Sequence, residues 1–145
     1  MSVAAPTVPR VIHPWRLLHE AEHVLLEWHD GGPMGRAHFA TDTISIRRGL
    51  SWAERRCTVV HELLHLRRGV PSHGWSAQDE QRVRRETARI LLPDVHVLGE
   101  ALAWALDEHE AADELGVDVP VLRCRMNNLH PAERGYLKTR LEGED

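Results

Sequence analysis

The sequence predicts an α+β fold in which a small antiparallel sheet precedes a mostly helical body. Two short segments with strand-like patterning lie between residues 24 and 47, and a turn signal separates them. From Trp52 onward the apolar spacing is helical, and the breaks fall near Gly or Pro. The 145 residues, 42% of them hydrophobic, suit one domain with a single core. We therefore expect a flexible tail over residues 1–10, rich in Pro and small residues, and one domain over residues 11–145.

The first elements follow from local signals. Pro14 fits the first position of a short helix over residues 14–21, because proline is preorganised for that position. Strands are expected at residues 24–28 and 36–47, the second interrupted in its middle. The Asp-Gly-Gly-Pro sequence at residues 30–33 predicts the turn between them.

The next element is a helix with clear ends. Ser51 followed three residues later by Glu54 predicts a capping box, in which each side chain accepts from the other residue's backbone. Gly69 and Pro71 stop the helix after two arginines, which favour the negative end of the helix dipole. The segment between these signals is about 17 residues long, a typical length for a globular helix.

Inside this helix, residues 61–65 read His-Glu-Leu-Leu-His and match the HExxH pattern. Helical residues four apart lie on one face, so His61 and His65 can bind one zinc ion. Glu62 lies about 100° around the helix, beside the metal rather than bound to it. That is the position of a general base that deprotonates the attacking water.

A catalytic zinc site needs a third protein ligand. The segment from Ser76 to Pro93 predicts a second helix, with Ser76 as its N-cap. Glu80 shares its buried face with Val83 and Thr87, and burying an unpaired carboxylate is costly. Glu80 is therefore the expected third ligand.

Other residues remain alternatives at this point. Glu86 and His73 are less well placed to be the third ligand, and Cys57, one turn before His61, is a further candidate. Asp79 could orient a ligating histidine from outside the ligand set.

These two helices resemble those of the ImmA/IrrE metallopeptidases. In that family a HExxH helix is followed by a glutamate helix of the form Glu-x-x-Ala/Cys/Val-Asn/Asp, which ends in a Leu-Leu-Met-Pro-like stretch. Alignment on Pro93 places Glu80 on the family's glutamate and Val83 on its small apolar position. Arg84 departs from the usual Asn or Asp. The resemblance covers roughly residues 30–140. Its motifs lie in residues 55–66, at Glu80 and in residues 90–93.

The resemblance implies a zincin-like fold and an intracellular, cytoplasmic zinc endopeptidase. Its substrate would be a protein, typically a helix-turn-helix repressor whose cleavage derepresses mobile-element or stress genes. In zincin-like proteins the strand ahead of the HExxH helix pairs with extended substrate. The corresponding residues here are Thr43, Ile44, Ser45, Ile46 and Arg47.

Catalysis also needs a donor for the tetrahedral oxyanion. Tyr136, His73 and His130 are the candidates, and the sequence does not choose between them.

A different reading of the chain comes from residues 111–123, which have the pattern of a helix-turn-helix. They belong to a helical C-terminal subregion expected over residues 107–142. On this alternative the protein is a non-catalytic regulator that binds DNA or a partner, with a structural or vestigial metal site. The second helix of the pattern offers only Arg123 and Arg125 as outward cations, so direct DNA binding is not expected. The net charge of −4 agrees with this expectation.

No segment of the sequence is long and apolar enough to cross a membrane.

Overall fold

The computed structural model describes residues 14–143, so the tail expected at residues 1–10 lies outside the described residues. The α+β class is confirmed. Three strands and a one-turn 3₁₀ helix (Phe39–Thr41) follow the first α-helix, and six further α-helices complete the described chain. In order, the elements are α1 (Pro14–Glu20), β1 (Leu25–His29), β2 (Gly35–His38), β3 (Thr43–Arg47), α2 (Trp52–Arg68), α3 (Ser76–Leu91), α4 (Val95–Trp104), α5 (Glu108–Leu115), α6 (Val119–Asn127) and α7 (Pro131–Glu142).

The sheet is mixed, so the prediction of an antiparallel sheet was wrong. Its strand order is β1-β3-β2, with β1 parallel and β2 antiparallel to β3. The interruption within residues 36–47 is a chain reversal, in which Asp42 adopts a left-handed conformation with φ 45°. Because this reversal folds β3 back along β2, β3 then fills the place beside β1. The turn at residues 30–33 therefore joins two strands that do not pair.

Helix α2 lies between two apolar clusters, which fix its orientation. One side contributes Val60 and Leu64 to the core formed by the helices. Val59 and Leu63 pack against the sheet, where Ile44 and Ile46 are fully buried. The predicted capping box at Ser51 and Glu54 is confirmed, with backbone-to-side-chain distances of 3.0 and 3.1 Å. The HExxH segment is thus held on a helix with little freedom to rotate.

Helix α3 packs on α2 and α6 through the predicted buried face, on which Val83 and Thr87 are inaccessible to solvent. Its start differs from the prediction by one residue. Trp75 occupies the N-cap position and makes no side-chain cap, while Ser76 is the first helical residue. The connection from α2 turns at Gly69, whose φ of 78° is unfavourable for residues with a Cβ.

The C-terminal helices are joined by short capped turns. Asp118 caps α6 through a 3.0 Å bond from the Val121 amide, and Gly116 takes the left-handed conformation in the preceding turn. A break between α4 and α5 was not predicted. Asp107 creates it by capping α5, accepting from the Glu110 amide at 2.9 Å.

Within residues 14–143, no helix combines the length and apolarity that a membrane crossing requires.

Candidate metal centre

The two histidines of α2 point their Nε2 atoms at one place. These atoms are 3.2 Å apart in His61 and His65, and both side chains are mostly buried. Their positions four residues apart in α2 produce this convergence. Burial is the main cause that lowers the pKa of His61, against the opposing charge of Glu80. A neutral imidazole is the form that binds metals.

Glu80 comes to the same place from α3. One carboxylate oxygen lies 3.0 Å from His61 Nε2, and the other lies 2.7 Å from His65 Nε2. Burial raises the pKa of Glu80, but the charge of His61 and the hydrogen bond from His65 outweigh it and leave the pKa lowered. Within residues 14–143, His61, His65 and Glu80 form the one group of three or more such side chains that could hold a metal ion.

The separations of the three donors suit zinc. Bonds of about 2.0–2.1 Å at tetrahedral angles place ligand atoms about 3.3 Å apart. The two nitrogens are separated by 3.2 Å, and all three ligand atoms lie within 4.8 Å of one another. Two imidazoles with one carboxylate form a donor set found in catalytic zinc sites, which keep the fourth position open.

Glu62 lies next to this cluster without joining it. Its side chain is only 8% exposed, between α2 and the sheet. Burial raises the pKa of the Glu62 carboxyl to about 7, with the nearby charge of Glu80 adding to the rise and that of His65 opposing it. A carboxyl group that titrates near neutrality can both accept and return a proton.

Asp79 provides a second contact to His65. Its Oδ2 atom lies 3.5 Å from His65 Nδ1, too far for a good hydrogen bond, and it has no other hydrogen-bond partner among the described residues. Its Oδ1 accepts from Arg68 Nε at 2.5 Å, and this bond is the main cause that lowers the pKa of Asp79. The carboxylate therefore stays ionised and faces the nitrogen of His65 that a metal would leave free.

Arg84 is a site residue to which the sequence analysis gave no role. Its Nε lies 3.2 Å from Glu80 Oε1, one helical turn away on α3. The side chain is 62% exposed, so a cation accessible to solvent lies beside Glu80. Its spacing of four residues from Glu80 could have indicated this contact.

Gly35 was also missed, because its role depends on a contact between distant segments. It begins the edge strand β2 and faces α2. A Cβ at this position would lie 2.4 Å from Thr58 Cγ2 and 2.8 Å from Glu62 Cγ. Only glycine lets β2 approach the general-base candidate so closely, which leaves the free edge of this strand beside Glu62.

The expected substrate strand does not have a free edge. Residues Thr43, Ile44, Ser45, Ile46 and Arg47 form β3, as predicted, but β3 is the central strand. It pairs with β1 over its whole length and with β2 from Thr43 to Ile46. The prediction that these residues pair with substrate was wrong, because their backbone groups already bond to neighbouring strands. The strand edge nearest Glu62 belongs to β2.

The remaining candidates lie elsewhere or stay untested. Glu86 is exposed on the outer face of α3, and Cys57 is buried in the helical core, where burial raises its pKa to about 12. The ring of Tyr136 packs on His96 of α4, with ring centroids 4.3 Å apart. His130 lines a groove on the outer side of α3. His73 is exposed in the connection between α2 and α3, and its role as a donor stays a prediction.

The cations expected on the helix-turn-helix-like segment are both engaged. Arg125 is buried rather than outward, which corrects the prediction, because its guanidinium binds Glu133 and the Leu92 carbonyl oxygen. Arg123 is exposed but pairs with Glu108 through two nitrogens. Each guanidinium therefore already has a carboxylate partner.

Comparisons with known proteins give no relative of this chain: no family model, curated protein or solved structure matches it. The chemistry of the site therefore rests on its own residues.

Proposed function

We propose that the protein is a zinc-dependent endopeptidase of the ImmA/IrrE type with a zincin-like core. The observation that carries this proposal is the convergence of His61, His65 and Glu80 within 4.8 Å, with the buried Glu62 beside them. Three of these residues come from one HExxH segment, and the fourth comes from a helix that follows it. Accidental HExxH matches have no reason to meet a third ligand in this way.

The donor atoms present fit zinc, which would be held by His61 Nε2, His65 Nε2 and a carboxylate oxygen of Glu80. Bound there, zinc would supply a Lewis acid that polarises the scissile carbonyl and acidifies water. Glu62 takes a proton from the attacking water while the oxygen of that water bonds to the carbonyl carbon. The same carboxyl group then returns the proton to the leaving nitrogen as the C–N bond breaks. Asp79 Oδ2 faces His65 Nδ1 at 3.5 Å, and the attraction between them would favour the ring orientation that directs Nε2 inward.

The free edge of β2 supports the binding of extended substrate. A peptide segment that adds to this edge gains backbone hydrogen bonds whatever its side chains are. Gly35 brings the strand within van der Waals contact of Glu62, so the added segment would run past the general base. This assigns to β2 the role that was first expected of β3.

Arg84 is the cation best placed to stabilise the oxyanion. It is anchored on Glu80 through Nε, and its side chain is 62% exposed, so other donors of the guanidinium can reach a bound substrate. A fixed donor near developing negative charge lowers the barrier without reorganisation. In this chain a cation thus takes the place of the Asn or Asp found in the family it resembles.

The substrate that the resemblance implies is a helix-turn-helix repressor in the cytoplasm. The alternative, a regulator without catalysis that acts through the C-terminal helices, is supported less well. Its two candidate cations, Arg123 and Arg125, are occupied by Glu108 and Glu133. The buried carboxylate at Glu62 would also have no purpose in a vestigial site, since its burial is unfavourable.

The test is cleavage of a proteome-derived peptide library, read by mass spectrometry, together with cleavage of co-expressed candidate repressors. The zinc-loaded wild-type protein should generate new termini at a consistent set of sites. Glu62→Gln should retain about one zinc per chain and cleave at least about a hundredfold more slowly, because the proton acceptor is lost.

Glu27→Gln is the matched control, since Glu27 is exposed on β1 and should not change either measurement. Unreduced cleavage by Glu62→Gln, or identical product lists with and without the protein for every substrate, would contradict the proposal.

A further inference from the structure

A second concave surface lies on the outer side of α3. It is a groove of about 540 Å³ between α3 and the turn that joins α6 to α7. Arg82, Arg85 and Arg89 line one wall, and residues 127–130 line the other. We call this surface the arginine groove.

The groove is locally positive in a chain whose net charge is −4. Within the described part of the chain, neither Arg82 nor Arg85 has a carboxylate within 4.0 Å, and both are exposed. Arg89 is already positioned, since it donates to the Asn128 carbonyl oxygen at 2.6 Å and to Glu133 at 3.2 Å. Glu86 is the one carboxylate among the lining residues, and Glu133 already pairs with Arg89, so the excess positive charge comes from Arg82 and Arg85.

The positive charge extends a short way beyond the groove, to the exposed Arg134, which donates to the Leu129 carbonyl oxygen at 3.4 Å. Arg140 is paired with Glu100, and Arg123 is paired with Glu108. A nucleic acid needs a longer track of available cations, because its phosphates repeat along the whole backbone. Small-molecule sites are mainly apolar, whereas Leu129 is the only large apolar residue among the lining residues. An acidic peptide segment fits a short, open, cationic groove better than either ligand.

We propose that the arginine groove binds an acidic segment of a partner protein. Guanidinium groups recognise carboxylates through paired hydrogen bonds, and Arg82 and Arg85 have donors available for this contact. The amide side chains of residues 127 and 128 add polar groups on the opposite wall. Charge steering towards such a site would raise the rate of encounter.

The groove lies away from the metal cluster but on the same helix. Arg82, Arg85 and Arg89 are placed roughly half a turn around α3 from Glu80. A helix with its side chains is about 10–12 Å across, so the path around half of its circumference is about 16–19 Å, which an extended segment of about five or six residues spans. The idea that the acidic segment belongs to the substrate rests on the proposed function, whereas the binding of an acidic segment to the groove does not depend on that function.

The experiment uses a fluorescein-labelled decapeptide of alternating Glu and Gly and follows its anisotropy with the full-length chain. A Gln-Gly decapeptide tests the need for charge, and a thymidine decanucleotide and ATP test the other ligand classes. Arg82→Gln/Arg85→Gln is compared with Arg16→Gln, which removes an 80% exposed arginine on α1. Arg82 and Arg85 are exposed, so the double variant should fold, and thermal unfolding checks this.

We expect the acidic peptide to bind and the double variant to bind it at least about tenfold more weakly. Arg16→Gln should bind like the wild type, and added salt should weaken binding. Equal binding of the Gln-Gly peptide, equal losses in both variants, or tighter binding of the nucleotide ligands would overturn the proposal. Measurements in the Glu62→Gln background keep the result independent of cleavage. If the acidic peptide binds in this way while the zinc-loaded wild-type protein cleaves no substrate, the result would contradict the proposed function alone.

Discussion

Two neighbouring residues of the HExxH segment have different environments, and these determine their roles. His61 directs Nε2 towards His65 and Glu80. A metal ion bound by all three side chains can take the place of the protons that they share. The carboxyl group of Glu62 lies beside the sheet, and burial raises its pKa to about 7. One side chain is thus placed to hold a metal, and the other is placed to move a proton.

At the residue scale, Asp79 is expected to set the metal affinity without touching the metal. Asp79→Asn should weaken zinc binding by about tenfold to a hundredfold, because His65 loses its charged partner at Nδ1. Competition with a chromophoric zinc chelator measures this affinity. Asp113→Asn, an exposed position on α5, is the control and should bind zinc like the wild type. Equal zinc affinities of the two variants would show that Asp79 does not contribute to zinc binding.

The sequence could predict the convergence of the three candidate ligands because their positions follow from helical periodicity. His61 and His65 are one turn apart, and Glu80 shares the buried face of α3. Asp79 was recognised only as a possibility, and Arg84 was not recognised. Their contacts depend on the angle at which α3 crosses α2, and local patterns do not contain that angle.

At the scale of elements, the close contact between β2 and α2 depends on Gly35. Gly35→Ala should lower the free energy of unfolding by about 1–3 kcal/mol, because the new Cβ overlaps Thr58 and Glu62. Any folded fraction should also lose peptidase activity, since β2 must move away from Glu62. Urea unfolding and peptide cleavage measure the two effects.

Gly135→Ala is the matched control for this change. Gly135 lies within α7 and has open space around a built Cβ. Replacing it should stabilise the protein by about 0.5–1 kcal/mol, because alanine favours the helix. A Gly35→Ala protein as stable and active as Gly135→Ala would contradict the packing described here.

The strands show where local prediction fails. Their approximate positions were predicted, but their order was not, because pairing depends on contacts between segments far apart in sequence. The Asp-Gly-Gly-Pro turn suggested that the first two strands pair. Instead, β3 lies between them, which hides its backbone and exposes that of β2. The error in the sheet thus became an error in the substrate-binding residues.

At the scale of the whole molecule, Glu133 joins the C-terminal helices to α3. It pairs with Arg125, which is 1% exposed, and with Arg89 of α3. Hydrogen bonding to Arg125 is the main cause that lowers the pKa of Glu133 to about 2, from an ordinary value of 4.5. Because the folded pKa is the lower one, the pair contributes stability above about pH 4.5, and this contribution is lost as the pH falls towards 2.

Glu133→Gln should therefore lower the free energy of unfolding by roughly 3 kcal/mol at pH 7, since Arg125 stays buried without its counter-charge. The difference from the wild type should shrink between about pH 4.5 and 2. Urea unfolding across this range measures it. Glu142→Gln, at the exposed end of α7, should behave like the wild type at every pH. A pH-independent difference would show that the ion pair does not account for the stability.

Zinc binding tests the proposed site most directly. The zinc affinity of the wild type, Glu80→Gln and Glu86→Gln should be measured by chelator competition, with stoichiometry from elemental analysis. The two variants make the same chemical change on α3, one in the cluster and one on its outer face. We predict about one zinc per chain, an affinity at least about a hundredfold weaker in Glu80→Gln, and no change in Glu86→Gln. A wild-type protein that binds no zinc, or equal affinities in the two variants, would contradict the metal site.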